Sequence, residues 1–268
     1  MTKVFSLASW NVEHFKGEPE RVGRVVEFIG EQDPDVFGLF EVAGKEVYKM
    51  MVERMPGYQF HITEGTQTQE TLVGVRGGIT AFFTQRTEFK SGNTFLRPGL
   101  LVSLLIGSKN YSLLFLHTKS SSKPIGLGIR DDQFERAFKF SSTLAKAAEA
   151  ERPNFIFLGD LNTMGMEYPF DHAISWETEL RKLQADADGF GMRVLSKSQP
   201  FTWWNGKNKP GPSNLDQVVA AGHLRFKTFG DAEVDVRGWP QAVNRAEQRK
   251  WIESYSDHAL LYLEILAV

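Results

Sequence analysis

The strongest constraint on this chain is a recurring boundary: apolar runs of strand length that meet, at one end, a residue able to bind a cation or move a proton. "FGLFE" stops at Glu41, "LFLHTK" at His117 and "FLGDLNT" at Asp160 and Asn162, while Val4 to Ala8 leads through "SWN" to Asn11. Two further runs begin this way instead: "SNLDQVV" opens on Asp216 and "SDHALLYLEI" on Asp257 and His258. Adjacent side chains of a strand face opposite sides, so Asp257 and His258 share a task only where the strand breaks into a loop. Each residue has an ordinary reading alone. Asn11 suits a turn, Glu41 the first turn of a helix, Asp160 and Asn162 an Asx-type turn, and His117 and Asp216 a structural position. Together, that account needs every major apolar run to meet these residue types by chance.

The remaining pattern says what carries these boundaries. Glu20 to Glu31 predicts a helix, with Val22, Val25, Val26 and Ile29 at helical spacing and Pro19 in its first turn. A buried strand follows at Val36 to Phe40, then a helix at about Lys45 to Met55. From Tyr58 to Phe115 the pattern turns to strands: "YQFHI", "GGITAFF", "LLVSLLI" and "YSLLFLH". Asp131 to Ala150 predicts a helix with Phe134, Ala137, Phe138, Leu144 and Ala148 inward, and the apolar run Leu260 to Ile265 predicts a last strand. The expected class is α/β, a four-layer sandwich of two mixed β-sheets packed face to face with helices outside. No linker, repeat or low-complexity tract divides residues 1–268, which predicts a single catalytic domain.

Composition removes several classes of function. Among 268 residues, 31 Lys and Arg face 33 Asp and Glu, so the net charge of -2 supplies no general attraction to a polyanion. Nucleic acid must then be held locally, by a basic patch or a metal ion. The chain has no cysteine, which excludes disulfides, thiolate metal sites and cysteine nucleophiles. "MTKVFSLASW" lacks the apolar core of a signal peptide, and no stretch approaches the ~20 apolar residues of a membrane span. A cytoplasmic monomer with no membrane partner is expected, or a secreted one if the chain is a trimmed mature form.

Carboxylates such as Glu41 and Asp257 beside an amide such as Asn11 suit a hard cation, Mg²⁺ or Mn²⁺, better than zinc. The order WN, E after a buried strand, HTK, GDLN, SNLDQV and SDH resembles the endonuclease/exonuclease/phosphatase superfamily, over Asn11 to His258. "FTWW" at Phe201 to Trp204 is similar to the aromatic strand that precedes the Asp216 position in its nuclease members. The resemblance implies metal-dependent cleavage of a phosphoester. It makes Asn11, Glu41 and Asp257 the metal group, pairs His258 with Asp216, lets Asp160 and Asn162 orient the attacking water, and lets His117 donate to a phosphoryl oxygen. Either Asp160 or His258 takes the water's proton, and one metal or two are equally compatible.

Substrate is read from the loops. "HTKSSSKPIGLGIR" and "WWNGKNKPG" are basic in a slightly acidic chain, so Lys119, Arg130, Lys207 and Lys209 are expected to grip phosphates, and Trp204 to stack on a base. The resulting expectation is a DNA endonuclease. The alternative is a phosphatase or phosphodiesterase of a small phosphoester, such as an inositol phosphate or a sphingomyelin-type head group.

Overall fold

The computed structural model describes residues 2–15, 17–65, 69–147 and 152–267. They fall into two compact units, one of Met1–Ile79, Ser196–Ser213 and Arg225–Val268, the other of Thr80–Leu195 and Asn214–Leu224. Each unit holds one mixed sheet, and both sheets obey the same rule.

In the first unit, β1 (Lys3–Phe15) leads through α1 (Pro19–Gln32) to β2 (Val36–Val42), which lies parallel to β1. A parallel neighbour needs a crossover, and α1 supplies it. Its Val22, Val25, Val26 and Ile29 are all buried, so the periodicity legible in the sequence is the face laid on the sheet. Then follow α2 (Lys45–Arg54), β3 (Tyr58–Ile62), β4 (Glu70–Arg76), β11 (Arg225–Phe226), β12 (Asp235–Arg237), α5 (Arg245–Ser254) and β13 (Leu260–Leu266). The strand order is β11-β13-β1-β2-β4-β3, with β12 also on β13, and every pairing except β1 with β2 is antiparallel.

The second unit contains β5 (Thr80–Arg86), β6 (Gly99–Ile106), β7 (Lys109–His117), α3 (Pro124–Ala147), β8 (Asn154–Asp160), α4 (Trp176–Gly189), β9 (Met192–Val194) and β10 (Asp216–Ala221). The order is β5-β6-β7-β8-β10-β9, and the one parallel pair, β7 with β8, is again joined by a helix, α3. Parallel strands end at the same edge of a sheet, and an antiparallel neighbour begins there. Polar residues at the ends of the parallel pair and at the start of its neighbour therefore meet, which is how the sequence boundaries become a site.

Three local expectations change. β1 continues beyond Asn11 to Phe15. The third helix starts at Pro124 rather than Asp131, despite the helix-weakening Gly126 and Gly128. Gly126 is required there, because a Cβ would sit 2.3 Å from the Ser121 carbonyl oxygen. The expected end of that helix at Ala150, and Ala148 of its stripe, lie outside the described residues; Phe134, Ala137 and Phe138 are buried as expected. "FTWW" is not a continuous strand: Trp203 makes isolated bridges to Ser213 and His258.

Asp35, immediately before β2, fastens β1. Its Oδ2 accepts from the Ser6 amide (2.8 Å), the Ser6 hydroxyl (2.9 Å) and Lys3 Nζ (3.1 Å), and its Oδ1 accepts from Arg76 Nε (2.9 Å). Burial pushes this carboxyl up, but the Ser6 donors and Lys3 outweigh burial and hold it below its ordinary value. A depressed carboxyl stabilises the fold above its unfolded pKa and loses that contribution as pH falls through the folded one. Asp35→Asn should therefore cost about 2–3 kcal/mol at neutral pH. The gap should close below about pH 4, as followed by urea unfolding at a series of pH values.

Candidate active site

In the first unit, parallel register sets Asn11 opposite Phe40, one residue before Glu41. Asn11 is 1% exposed and its Nδ2 donates to Glu41 Oε1 at 3.3 Å. The strands break step here, and Glu13 (φ 40°), His14 (φ 47°) and Glu41 (φ 64°) all take left-handed backbone. Such conformations cost about 1–3 kcal/mol each and persist where surrounding contacts enforce them, often at working sites. The His14 amide donates to Glu41 Oε2 at 3.0 Å, which helps to fix the acid in its turn.

The SDH segment is fixed by its backbone. Trp10 Nε1 donates to the His258 carbonyl (2.9 Å), and Ser256 Oγ donates to the Asn11 carbonyl (2.7 Å) while accepting from the His258 amide (3.1 Å). The segment entering β13 is thereby tied to β1 at Trp10 and Asn11. Trp203 Nε1 donates to Asp257 Oδ2 at 2.7 Å, and the Trp204 amide donates to the Asp257 carbonyl at 2.9 Å. Nearby Glu13 is pushed above its ordinary value by burial, then by the charge of Asp257, against Arg21.

In the second unit, His117 lies directly opposite Asp160 in the parallel pair, and Asp216 directly opposite Asp160 in the antiparallel one. All three are at most 5% exposed, and His117 Nε2 is 3.4 Å from Asp160 Oδ2. Asn162, left-handed at φ 49°, turns back so that its amide donates to Asp160 Oδ1 (3.2 Å) and its Nδ2 to the Thr118 carbonyl (3.2 Å). Gln217 Nε2 donates to Thr163 Oγ1 (3.0 Å) and to the Asn214 carbonyl (3.1 Å), joining the loop after β8 to the loop before β10. Gln217 was not legible as a site residue, since its bond to Thr163 spans 54 residues of chain.

Arg130 corrects the sequence expectation. It is 0% exposed, and a fully buried guanidinium cannot grip a substrate phosphate. Instead Nε and Nη2 fork onto Glu179 at 2.6 and 2.9 Å, and the remaining hydrogens go to the carbonyls of Lys119 (3.2 Å), Ser121 (2.7 Å) and Gly165 (2.8 Å). Glu179 also accepts from the Gly165 amide at 2.7 Å. One ion pair thus holds the loop after His117 and the loop after Asn162. Removing one partner of a buried pair costs about 3–5 kcal/mol, whereas replacing both by apolar residues is often neutral. Arg130→Ala should melt far below wild type in calorimetry, and Arg130→Met with Glu179→Leu should recover only part of that loss, because the Lys119, Ser121 and Gly165 carbonyls and the Gly165 amide still lose their partners.

Trp204 is corrected in the same way. It is 2% exposed, packed on Trp239 with ring centroids 5.9 Å apart and covered by the Arg245 guanidinium at 4.3 Å, so no base can stack on it. Lys207 and Lys209 are exposed in the loop that follows, and Lys119 is half-buried, its amide donating to Gln133 Oε1 at 3.1 Å.

The family model described as Endonuclease/Exonuclease/phosphatase family matches residues 8–258. The chain belongs to the endonuclease/exonuclease/phosphatase family. Its fold is similar to truncated Caenorhabditis elegans TDP2, with TM-score 0.68 and 17% identity over 98% of both chains. It is similar to D. rerio TDP2 complexed with single strand DNA product, with TM-score 0.65 and 16% identity over 98% of this chain and 99% of that one. It is also similar to a mannosyl-6-phosphatase from Bacteroides thetaiotaomicron, with TM-score 0.58 and 15% identity over 98% of this chain and all of that one. No curated protein matches it in sequence. Two mixed sheets with five helices among the described residues make the expected α/β class, with the fold of this family.

Members of the endonuclease/exonuclease/phosphatase family are phosphoric ester hydrolases that generally use divalent metal ions. Within the first unit the donor set fits such an ion: the Glu41 carboxylate and the Asn11 amide, oxygen ligands held side by side. The bond from Trp203 to Asp257 is the kind of outer contact that orients a ligating carboxylate. Trp203→Phe keeps the ring and deletes the donor, so it should raise the metal concentration for half-maximal activity by roughly 10- to 100-fold with little change in melting temperature.

Proposed function

We propose that the protein is a Mg²⁺- or Mn²⁺-dependent phosphodiesterase that hydrolyses backbone bonds of DNA, as an endonuclease. The observation that carries this reading is the buried group of His117, Asp160, Asn162 and Asp216, an imidazole, two carboxylates and an amide at one sheet edge. Phosphoryl transfer asks for that set, namely a proton acceptor, an orienting group for water and a donor toward a phosphoryl oxygen. The family model spans residues 8–258, and in our reading the WN, Glu41 and SDH motifs contribute Asn11, Glu41, Asp257 and His258 to the reaction.

A bound divalent ion would supply charge neutralisation on the phosphoryl oxygens, held by Glu41, Asn11 and Asp257. The protein's own groups do the rest. Asp160 or His258 takes a proton from the attacking water, Asn162 holds that water in line, and His117 donates to a non-bridging oxygen. The water oxygen bonds to phosphorus as the bond to the ester oxygen breaks, that oxygen takes a proton from solvent water as it leaves, and the proton held by the base is released to solvent.

DNA is favoured over a small ester by two observations. The solved D. rerio TDP2 holds a single strand DNA product, and exposed Lys207 and Lys209 with Arg249 offer phosphate contacts beyond the cut. The similarity to a mannosyl-6-phosphatase supports the second reading, a small-ester phosphatase. A panel of plasmid, single-stranded DNA, abasic duplex, RNA, sugar phosphates and inositol phosphates with each metal decides between them. Sugar phosphates turned over far faster than any nucleic acid would replace the first reading by the second.

A further inference from the structure

We propose that His14 is a further ligand of the divalent ion at Glu41 and Asn11, and that its imidazole sets which ion is held, favouring Mn²⁺ over Mg²⁺. The inference rests on the metal-dependent reading of the site. In the first unit His14 Nδ1 lies 3.5 Å from Glu41 Oε2, on the carboxylate whose other oxygen accepts from Asn11. Adjacent ligands about 2.1 Å from an octahedral ion stand about 3 Å apart, so the two atoms need only a small shift to share one.

The backbone is bent to make this meeting. β1 loses its register with β2 between Asn11 and Phe15, and within that stretch Glu13 and His14 are consecutive left-handed residues. Left-handed backbone is costly for a residue with a side chain, and two in succession more so. What the bend delivers is His14: its amide donates to Glu41 Oε2 at 3.0 Å, and its ring comes beside the same oxygen. An ion pair alone does not account for the bend. The His14 side chain is 64% exposed, and an exposed pair stabilises too little to offset such strain.

Gln69, immediately before β4, approaches both groups: its Nε2 contacts His14 Nδ1 and stands 3.5 Å from Glu41 Oε2. Three separate segments thus converge on one carboxylate, with the Gln69 amide as the kind of outer contact that orients metal ligands. The donor set then holds a carboxylate, an amide and an imidazole. Mg²⁺ keeps to oxygen ligands and gives up water reluctantly, whereas affinity for a site with nitrogen rises from Mn²⁺ to Co²⁺. Glu41 and Asn11 alone suit Mg²⁺ or Mn²⁺. The imidazole is the group that discriminates between them.

The test compares His14→Asn with wild type by calorimetric titration of Mg²⁺, Mn²⁺ and Co²⁺, and by electron spin-echo spectroscopy of bound Mn²⁺. Asparagine tolerates left-handed backbone, and the ring it replaces is exposed, so the fold is kept. Mn²⁺ affinity should fall by at least about tenfold, the lower end for losing even an outer contact of a metal site. The loss should be larger for Co²⁺ and slight for Mg²⁺. Wild type should show a nitrogen bonded to Mn²⁺ that disappears in the variant. A role confined to positioning Glu41 would weaken Mg²⁺ and Mn²⁺ by the same factor. That result overturns the proposal, as does a nitrogen signal that is missing from wild type or unchanged in His14→Asn. If no divalent ion binds wild type, the metal reading falls as well; if the ions bind regardless of His14, only the ligand role falls.

Discussion

Dialysis against a chelator should reduce hydrolysis by roughly three orders of magnitude or more, and Mg²⁺ or Mn²⁺ should restore it. The expectation follows from the donor set. Glu41 is held in a left-handed turn by the His14 amide and accepts from Asn11, so its carboxylate is positioned before any ion arrives. Pre-positioned oxygen ligands raise affinity because little ordering remains at binding. Glu41→Ala should therefore shift the metal titration strongly while the melting temperature in chelator stays near wild type. Calorimetric titration of Mn²⁺ into both proteins checks this without an activity assay. Undiminished turnover in excess chelator would remove the metal from the mechanism.

The second large effect concerns His117 and Asp160. Their side chains lie 3.4 Å apart and are almost fully buried, so each sets the other's orientation. Asp160→Asn and His117→Ala should each lower kcat by about 10²- to 10⁴-fold, as positioned acid-base and electrostatic groups do. The double variant should be little worse than the poorer single one, because groups acting as a unit are not additive. Multiplicative losses would show that the two serve separate steps. Asp160→Asn is nearly isosteric, and it keeps an oxygen to accept from the Asn162 amide, so circular dichroism should show an intact fold beside the lost rate.

What could be read before any coordinates follows from the short range of the signals. An apolar run stopping at Glu41 or His117 shows itself within a few residues, and so does the helical stripe of Val22, Val25, Val26 and Ile29. Order along the chain, from the WN of Asn11 to the SDH of His258, sufficed for the family. Helix α5 lay beyond that reach: it is polar around most of its surface, and only Ile252 is buried.

Arg130 and Trp204 show where local reasoning stops. A lone arginine in "GIRDDQ" looks the same whether it meets water or Glu179, and its partner stands 49 residues away. A tryptophan in "FTWW" is equally silent about Arg245 lying over its ring. Even the bond from Trp203 to Asp257 spans 54 residues. The sequence by itself determined the strand ends, the chemistry available there and the family, because strand period, turn chemistry and motif order are properties of neighbours in the chain. Only the tertiary structure decided which charged and aromatic groups were spent on holding the loops and which were left to meet a substrate, because burial and pairing belong to residues that become neighbours only when the sheets form.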